Sequence, residues 1–174
     1  MKFNKQPKAY IKALESRGFE VIGEGSFSCV LSKDNKKVIK VLHSSRQFDP
    51  WPEYILWATK NKKKFTPKLY SLKRYPNFYV AIVERVKEIP PRKRRGLDTA
   101  LYEFNKTRKY GSLRKHLEEL RKWSLIDDLG WENMGMRRNG SLVILDPVAF
   151  APVHKSLKPF SKVLRYKMLL DQSI

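Results

Sequence analysis

Between Pro7 and Arg17 apolar residues recur at Tyr10, Ile11 and Leu14, the spacing of one helix face, with a proline at the start and Gly18 just past the end. That pattern predicts a short helix. From Phe19 the period changes. Phe19–Gly23 and Phe27–Leu31 read as strands on either side of the glycine-containing stretch GEGSF; Lys33–Lys36 (KDNK) reads as a turn and Lys37–Leu42 (KVIKVL) as a third strand. These three form an antiparallel meander. The next stretch, DPWPEYILWATKNKKK, has a proline-marked start and sets Ile55, Leu56 and Ala58 in a helical window. FTPKLYSLKRYPNFYVAIVERV follows with two strands about the turn Tyr75–Asn77. The predicted order is therefore β-β-β-α-β-β.

Two prolines, four cations and a glycine in PPRKRRG (Pro90–Gly96) predict an exposed connector rather than a packed element. Beyond it, Leu113, Leu117, Leu120 and Trp123 recur at helical spacing within Ser112–Ser124, with Ser112 as the cap, and this stripe reads as core. NMGMRRNGSLVILDPV then reads as a hairpin turning at Asn139-Gly140, whose apolar strand Leu142–Leu145 ends at Asp146. No internal repeat is visible. The fold class expected is α+β, one bilobal unit with a β-rich part (1–86), a basic connector (87–96) and a smaller, mainly helical part (97–174).

Composition narrows the setting. At 174 residues, 41% hydrophobic, the chain suits one compact domain. The single cysteine, Cys29, excludes an internal disulfide, and His43, His116 and His154 lack zinc-site spacing, which points to a reducing cytosol. No signal peptide and no run of about 18 apolar residues is present, so no membrane partner is expected. Lys and Arg number 37 against 17 Asp and Glu, a formal charge of +20. A field of that sign attracts polyanions and acidic proteins, so nucleic acid or a complex that carries it is a plausible partner. The cations cluster in Lys62, Lys63 and Lys64, in Arg92, Lys93, Arg94 and Arg95, and in the tail from Lys155 to Lys167. Each run serves equally as a solvated face or as a groove contact, and no zinc-finger, basic-zipper or RNA-recognition motif accompanies them.

Candidate chemistry sits at two places. Gly23 and Gly25 in GEGSF, with Ser26 between strands and Phe27 at the loop tip, would let backbone amides approach phosphates, although most such turns are only hairpins. Lys40 lies within VIKV, and alternation puts it on the face opposite Ile39 and Val41; buried there it needs an anion, for which Glu53 on the following helix is the nearest candidate. Asp128, Asn133 and Asp146 are short oxygen-bearing residues around the loop DLGWEN and the end of the hairpin. An amide oxygen and a carboxylate that converge there could hold magnesium, with the other carboxylate facing a hydroxyl nucleophile.

These residues, in this order and spacing, resemble the protein-kinase family from about Phe19 to Val148, and within it the early serine/threonine kinases of short-tailed, autographivirus-type bacteriophages. GEGSFS, KVIKV and LDPV carry the likeness, the last with Asp-Pro-Val in place of the usual Asp-Phe-Gly. The resemblance implies a minimal bilobal kinase-like fold that uses ATP and Mg2+. Lys40 would grip the α- and β-phosphates with Glu53 behind it, Asp128 would face the nucleophile, and Asn133 and Asp146 would hold the metal. VERV, with Glu84 and Val86, would be the adenine-binding hinge. It further implies host proteins of transcription or translation as substrates and the host cytoplasm as the setting.

The chain departs from the family at Ile126-Asp127, where a His-Arg pair normally precedes the catalytic Asp, at Gly130, where a Lys or His is usual, and at Ser28, which replaces the last loop glycine. Few residues follow Asp146, so an unregulated enzyme, loose about local substrate sequence, is expected. The alternative is a catalytically weak or inactive kinase-like protein that binds nucleic acid or a host complex through its basic surface; phosphorylation of a small molecule or nucleic acid is a third reading.

Overall fold

The computed structural model describes residues 5–25, 27–43, 51–95, 111–121, 126–127, 131–146 and 148–149. The chain divides into two units, Met1–Pro52 with Pro67–Arg85, and Glu53–Thr66 with Val86–Ile174. The fold is α+β. Among the described residues no helix is long and apolar enough to cross a membrane.

The first unit is built on helix α1 (Lys5–Glu15) and the strands β1 (Glu20–Glu24), β2 (Ser28–Ser32), β3 (Lys37–His43), β4 (Leu69–Tyr75) and β5 (Phe78–Glu84). The strands form one antiparallel sheet in the order β1-β2-β3-β5-β4. The expected meander is present, and so is the hairpin β4-β5, which turns at Pro76-Asn77 and adds to β3 through its second strand. Helix α1 ends as the sequence predicts. Gly18 takes a φ of 81°, its N–H reaches the Glu15 carbonyl, and Phe19 N–H reaches that of Leu14, which satisfies carbonyls that the helix leaves open.

Leu14 of α1 packs on one face of the sheet with Cys29, Leu31, Val41, Phe78 and Val80, and Tyr10, Ile11, Ile39 and Tyr75 close the cluster's margin. Tyr75 and Phe78 stack with ring centroids 4.4 Å apart. Each buried aliphatic or aromatic side chain here contributes roughly 1.5–3 kcal/mol. Because alternate residues of β3 face this cluster, Lys40 is turned to the other side of the sheet.

In the second unit, most of helix α2 (Trp51–Lys60), whose first two residues belong to the first unit, buries Tyr54, Ile55, Trp57 and Ala58. Helix α3 (residues 91–95) and helix α4 (Gly111–Arg121) follow. Two small ladders complete the described part: β6 (Ile126–Asp127) with β9 (Val148–Ala149), and β7 (Met134–Met136) with β8 (Leu142–Ile144). The β7-β8 turn closes on Asn139-Gly140, as the sequence predicts; Gly140 has a φ of 82° and donates to the Arg137 carbonyl.

Two local expectations are corrected here. PPRKRRG is exposed at Arg92, Lys93 and Arg95 as expected, but it is a regular element: residues 91–95 are helical, since proline is well suited to a helix's first turn, and just before them Lys87 pairs with Met136 and Ile89 is buried. Ser112 is not the cap of α4, because the helix already includes Gly111. Of the predicted stripe, Leu113 is buried as expected. The side chains of Leu117 and Leu120, and all of Trp123, lie outside the described residues.

Candidate functional site

In the first unit the strand register draws Gly23, Val30, Lys40, Ala81 and Leu72 into one row across all five strands. Lys40 is only 8% exposed, and its ammonium lies 4.5 Å from the centroid of the Trp51 ring, itself 1% exposed. A desolvated cation over an indole gains on the order of 2 kcal/mol. The sequence marks Lys40 by its place in an apolar strand, whereas Trp51 was not singled out. Its signal, an aromatic between Pro50 and Pro52 at a helix start, has no meaning until its ring is seen beneath the Lys40 ammonium.

Gly23 ends the row and Gly25 N–H donates to the Ser28 carbonyl at 2.8 Å, while Ser28 opens β2 opposite Leu42. A Cβ at Gly23 would meet only Val30 Cβ, and one at Gly25 only the Ser28 carbonyl, each at 3.9 Å. Neither glycine is required by packing or by a positive φ. Phe27 is half-buried, and Ser26 lies outside the described residues. At the far end of β5, Glu84 is bound twice to Lys68: its N–H donates to the Lys68 carbonyl and its carboxylate accepts from Lys68 N–H. Val86 follows in the second unit, half-buried.

In the second unit the structure brings Asn133 and Asp146 together. The Asn133 carbonyl accepts from Leu145 N–H at 2.8 Å and from Asp146 N–H at 3.3 Å, and both residues are half-buried. These bonds bring the two backbones together; an amide oxygen and a carboxylate are the hard donor types that magnesium takes. Asp128 lies outside the described residues; β6 ends one residue before it, with Asp127 paired to Val148. Glu53 is half-buried in the first turn of α2.

Beside this pair lies a buried polar network that sequence reading missed. The Tyr54 hydroxyl is 3.2 Å from Thr66 Oγ1 and 3.4 Å from His116 Nε2, and the His116 ring is packed by Trp57 and Phe65. Burial pushes the Tyr54 phenol well above its ordinary range; the Thr66 hydrogen bond opposes this and the Asp146 charge adds to it. His116, 4% exposed, is pushed down to about 4 by burial and then by the Lys63 charge, against a smaller opposing pull from Glu119. Arg137 ties the β7-β8 turn to the same loop by donating to the Lys64 and Thr66 carbonyls. Gly135 is needed for packing, since a Cβ there would fall 2.2 Å from Val86 Cγ2 and 3.2 Å from the Lys87 carbonyl.

The basic runs separate into two kinds of residue. Lys63 is ion-paired with Glu119 and lies over Trp57, and Arg94 stacks on Trp131 at 3.9 Å and donates to the Ile89 carbonyl. Lys62, Lys64, Arg92, Lys93 and Arg95 are exposed.

No protein-family model and no curated protein matches the chain. Among solved structures, that of Rad53 1–466 in complex with AMP-PNP is similar at a TM-score of 0.47 and 14% sequence identity, over 92% of this chain and 48% of that one. The match thus spans about half of that solved chain. The α+β assignment rests on the strand order and register given above, not on this likeness.

Proposed function

We propose that the protein is a minimal ATP- and magnesium-dependent serine/threonine protein kinase of phage origin that modifies host proteins of transcription or translation. The observation that carries this reading is Lys40: a buried lysine in the middle of a strand, in one row with Gly23 of β1, a glycine that the fold itself does not require. The absence of side chains at Gly23 and Gly25 leaves room for a phosphate to approach the backbone there, and Lys40 supplies a fixed positive charge to the α- and β-phosphates. Glu53 backs Lys40, and the hinge around Glu84 and Val86 takes the adenine. Asn133 and Asp146 would hold magnesium, which, when bound, neutralises charge on the phosphate oxygens. Asp128 orients the attacking hydroxyl and accepts its proton.

Incubation with γ-labelled ATP and magnesium, with and without host lysate, tests the reading. The parent chain should transfer label to protein serine or threonine, and Asp128→Asn should lose about a hundred-fold or more of that rate, the scale of general-base effects. Equal labelling by both chains, or none by either at millimolar ATP, overturns it. Gly130 removes one cation that usually steadies the transferred phosphoryl group, which favours the second reading, a kinase-like binder that blocks nucleic acid or a host complex through its basic surface.

A further inference from the structure

On the first unit, at the end of the sheet remote from the glycine loop, Tyr70 stands 42% exposed on β4. β4 is the edge strand, and its pairing with β5 shifts register between Leu69 and Ser71, so Tyr70 is the residue that the irregularity sets apart from the ladder. Two ammonium groups attend its ring: Lys37 Nζ from β3 at 4.6 Å from the centroid and Lys68 Nζ at 5.2 Å. Lys36, Lys37 and Lys68 are all exposed.

Two acidic side chains nearby, one of them opposite Lys37 in the β3–β5 ladder, accept from backbone N–H groups. Glu84 accepts from Lys68 N–H at 3.1 Å, and Asp34 accepts from the N–H groups of Lys36 and Lys37 at 2.6 and 3.0 Å. Those two bonds hold the Asp34 carboxyl below its usual range, so it stays an acceptor for the turn. The lysine side chains, by contrast, converge on an exposed aromatic ring.

We infer that Tyr70, Lys37 and Lys68 form a binding site for single-stranded nucleic acid, in which an unpaired base stacks on the Tyr70 ring and the two lysines move to the flanking phosphates. A π surface with cations beside it is the arrangement that single strands use, because every base has a π face and every linkage a negative charge. An acidic protein would use the lysines without needing the ring. The site shares no residue with Lys40, Asn133 and Asp146 and does not depend on the kinase reading.

The test uses the full chain and measures fluorescence anisotropy with labelled oligouridylate and oligothymidylate, with labelled heparin as a polyanion without bases and polyglutamate as an acidic polypeptide. Tyr70→Ala should weaken both oligonucleotides about ten-fold, while Tyr70→Phe, which keeps the ring, should stay within about two-fold of the parent. Heparin binding should be unchanged in Tyr70→Ala. Lys37→Ala with Lys68→Ala should weaken both oligonucleotides and lower the log–log salt slope by about one to two, since each contacted phosphate releases counterion. Preference for the uridylate over the thymidylate strand would identify RNA as the source, and the reverse DNA. Oligonucleotide binding by Tyr70→Ala equal to the parent's overturns the proposal, as does an equal loss on heparin. So does polyglutamate binding that falls with Tyr70→Ala, which assigns the surface to an acidic protein. Melting curves confirm the fold of each variant.

Discussion

Gly25 and Gly135 show how differently one residue type is constrained within this chain. At Gly25 a methyl group would meet nothing closer than 3.9 Å, whereas at Gly135 it would collide with Val86. Gly135→Ala should therefore destabilise the protein by about 1–3 kcal/mol in urea unfolding, the range of an overpacked core. Gly25→Ala should change stability by less than about 1 kcal/mol, yet lessen the stabilisation that ATP confers. Lys40 and Trp51 offer a second test at this scale. In a double-mutant cycle of Lys40→Met and Trp51→Leu, the coupling should come to about 1–2 kcal/mol, since a buried cation loses its aromatic partner in one single variant but not in the double. A coupling near zero would show the contact to be incidental.

At the scale of elements, α2, the loop after it and α4 are joined through Tyr54, Thr66 and His116. His116 is held neutral by burial, with its folded pKa near 4 against about 6.5 for an unperturbed imidazole. An unfolded chain binds that proton at higher pH than the folded one, so the contribution is fully present above pH about 6.5 and is lost as pH falls toward 4. Its full size is on the order of 3 kcal/mol. Urea midpoints should drop between pH 7 and pH 5, and His116→Gln should flatten that part of the profile. The facing charges, Lys63 and Glu119, form an ion pair of their own. A drop that survives unchanged in His116→Gln would place the titrating group elsewhere.

At the scale of the molecule, ligand binding is read in stability. A ligand that binds only the native state raises its melting temperature by mass action. ATP with magnesium should raise the melting temperature of the parent, and Lys40→Ala and Asp146→Ala should each diminish that rise. The formal +20 charge acts at the same scale. Because Arg94 is built into a stack with Trp131, a charge-removal test is better confined to Arg92, Lys93 and Arg95. Neutralising these three should weaken polyanion binding and labelling of lysate targets together, and leave labelling of a small generic substrate intact; no change in either would leave them as a solvated face.

What the sequence alone determined is local. Alternation in KVIKVL and the Asn139-Gly140 turn specify strands and hairpins because side-chain direction repeats every two residues and a positive φ favours glycine. The order β-β-β-α-β-β, the helix closed by Gly18 and the placement of Lys40 on the face opposite Val41 follow from such rules, whereas the burial of Lys40 does not. Tertiary structure decided what depends on residues distant in the chain. That β5 rather than β4 pairs with β3, that Trp51 seats Lys40, and that His116 meets Tyr54 62 positions away all follow from packing, which period and propensity do not encode. The helical 91–95 segment is a case of context overriding composition: four cations and two prolines read as a connector, but Arg94 has Trp131 to lie on and Ile89 a core to enter. Asn133 and Asp146 stand between the two cases. Their oxygen-bearing side chains are legible in residue type, and the approach of their backbones is created by two hydrogen bonds to one carbonyl.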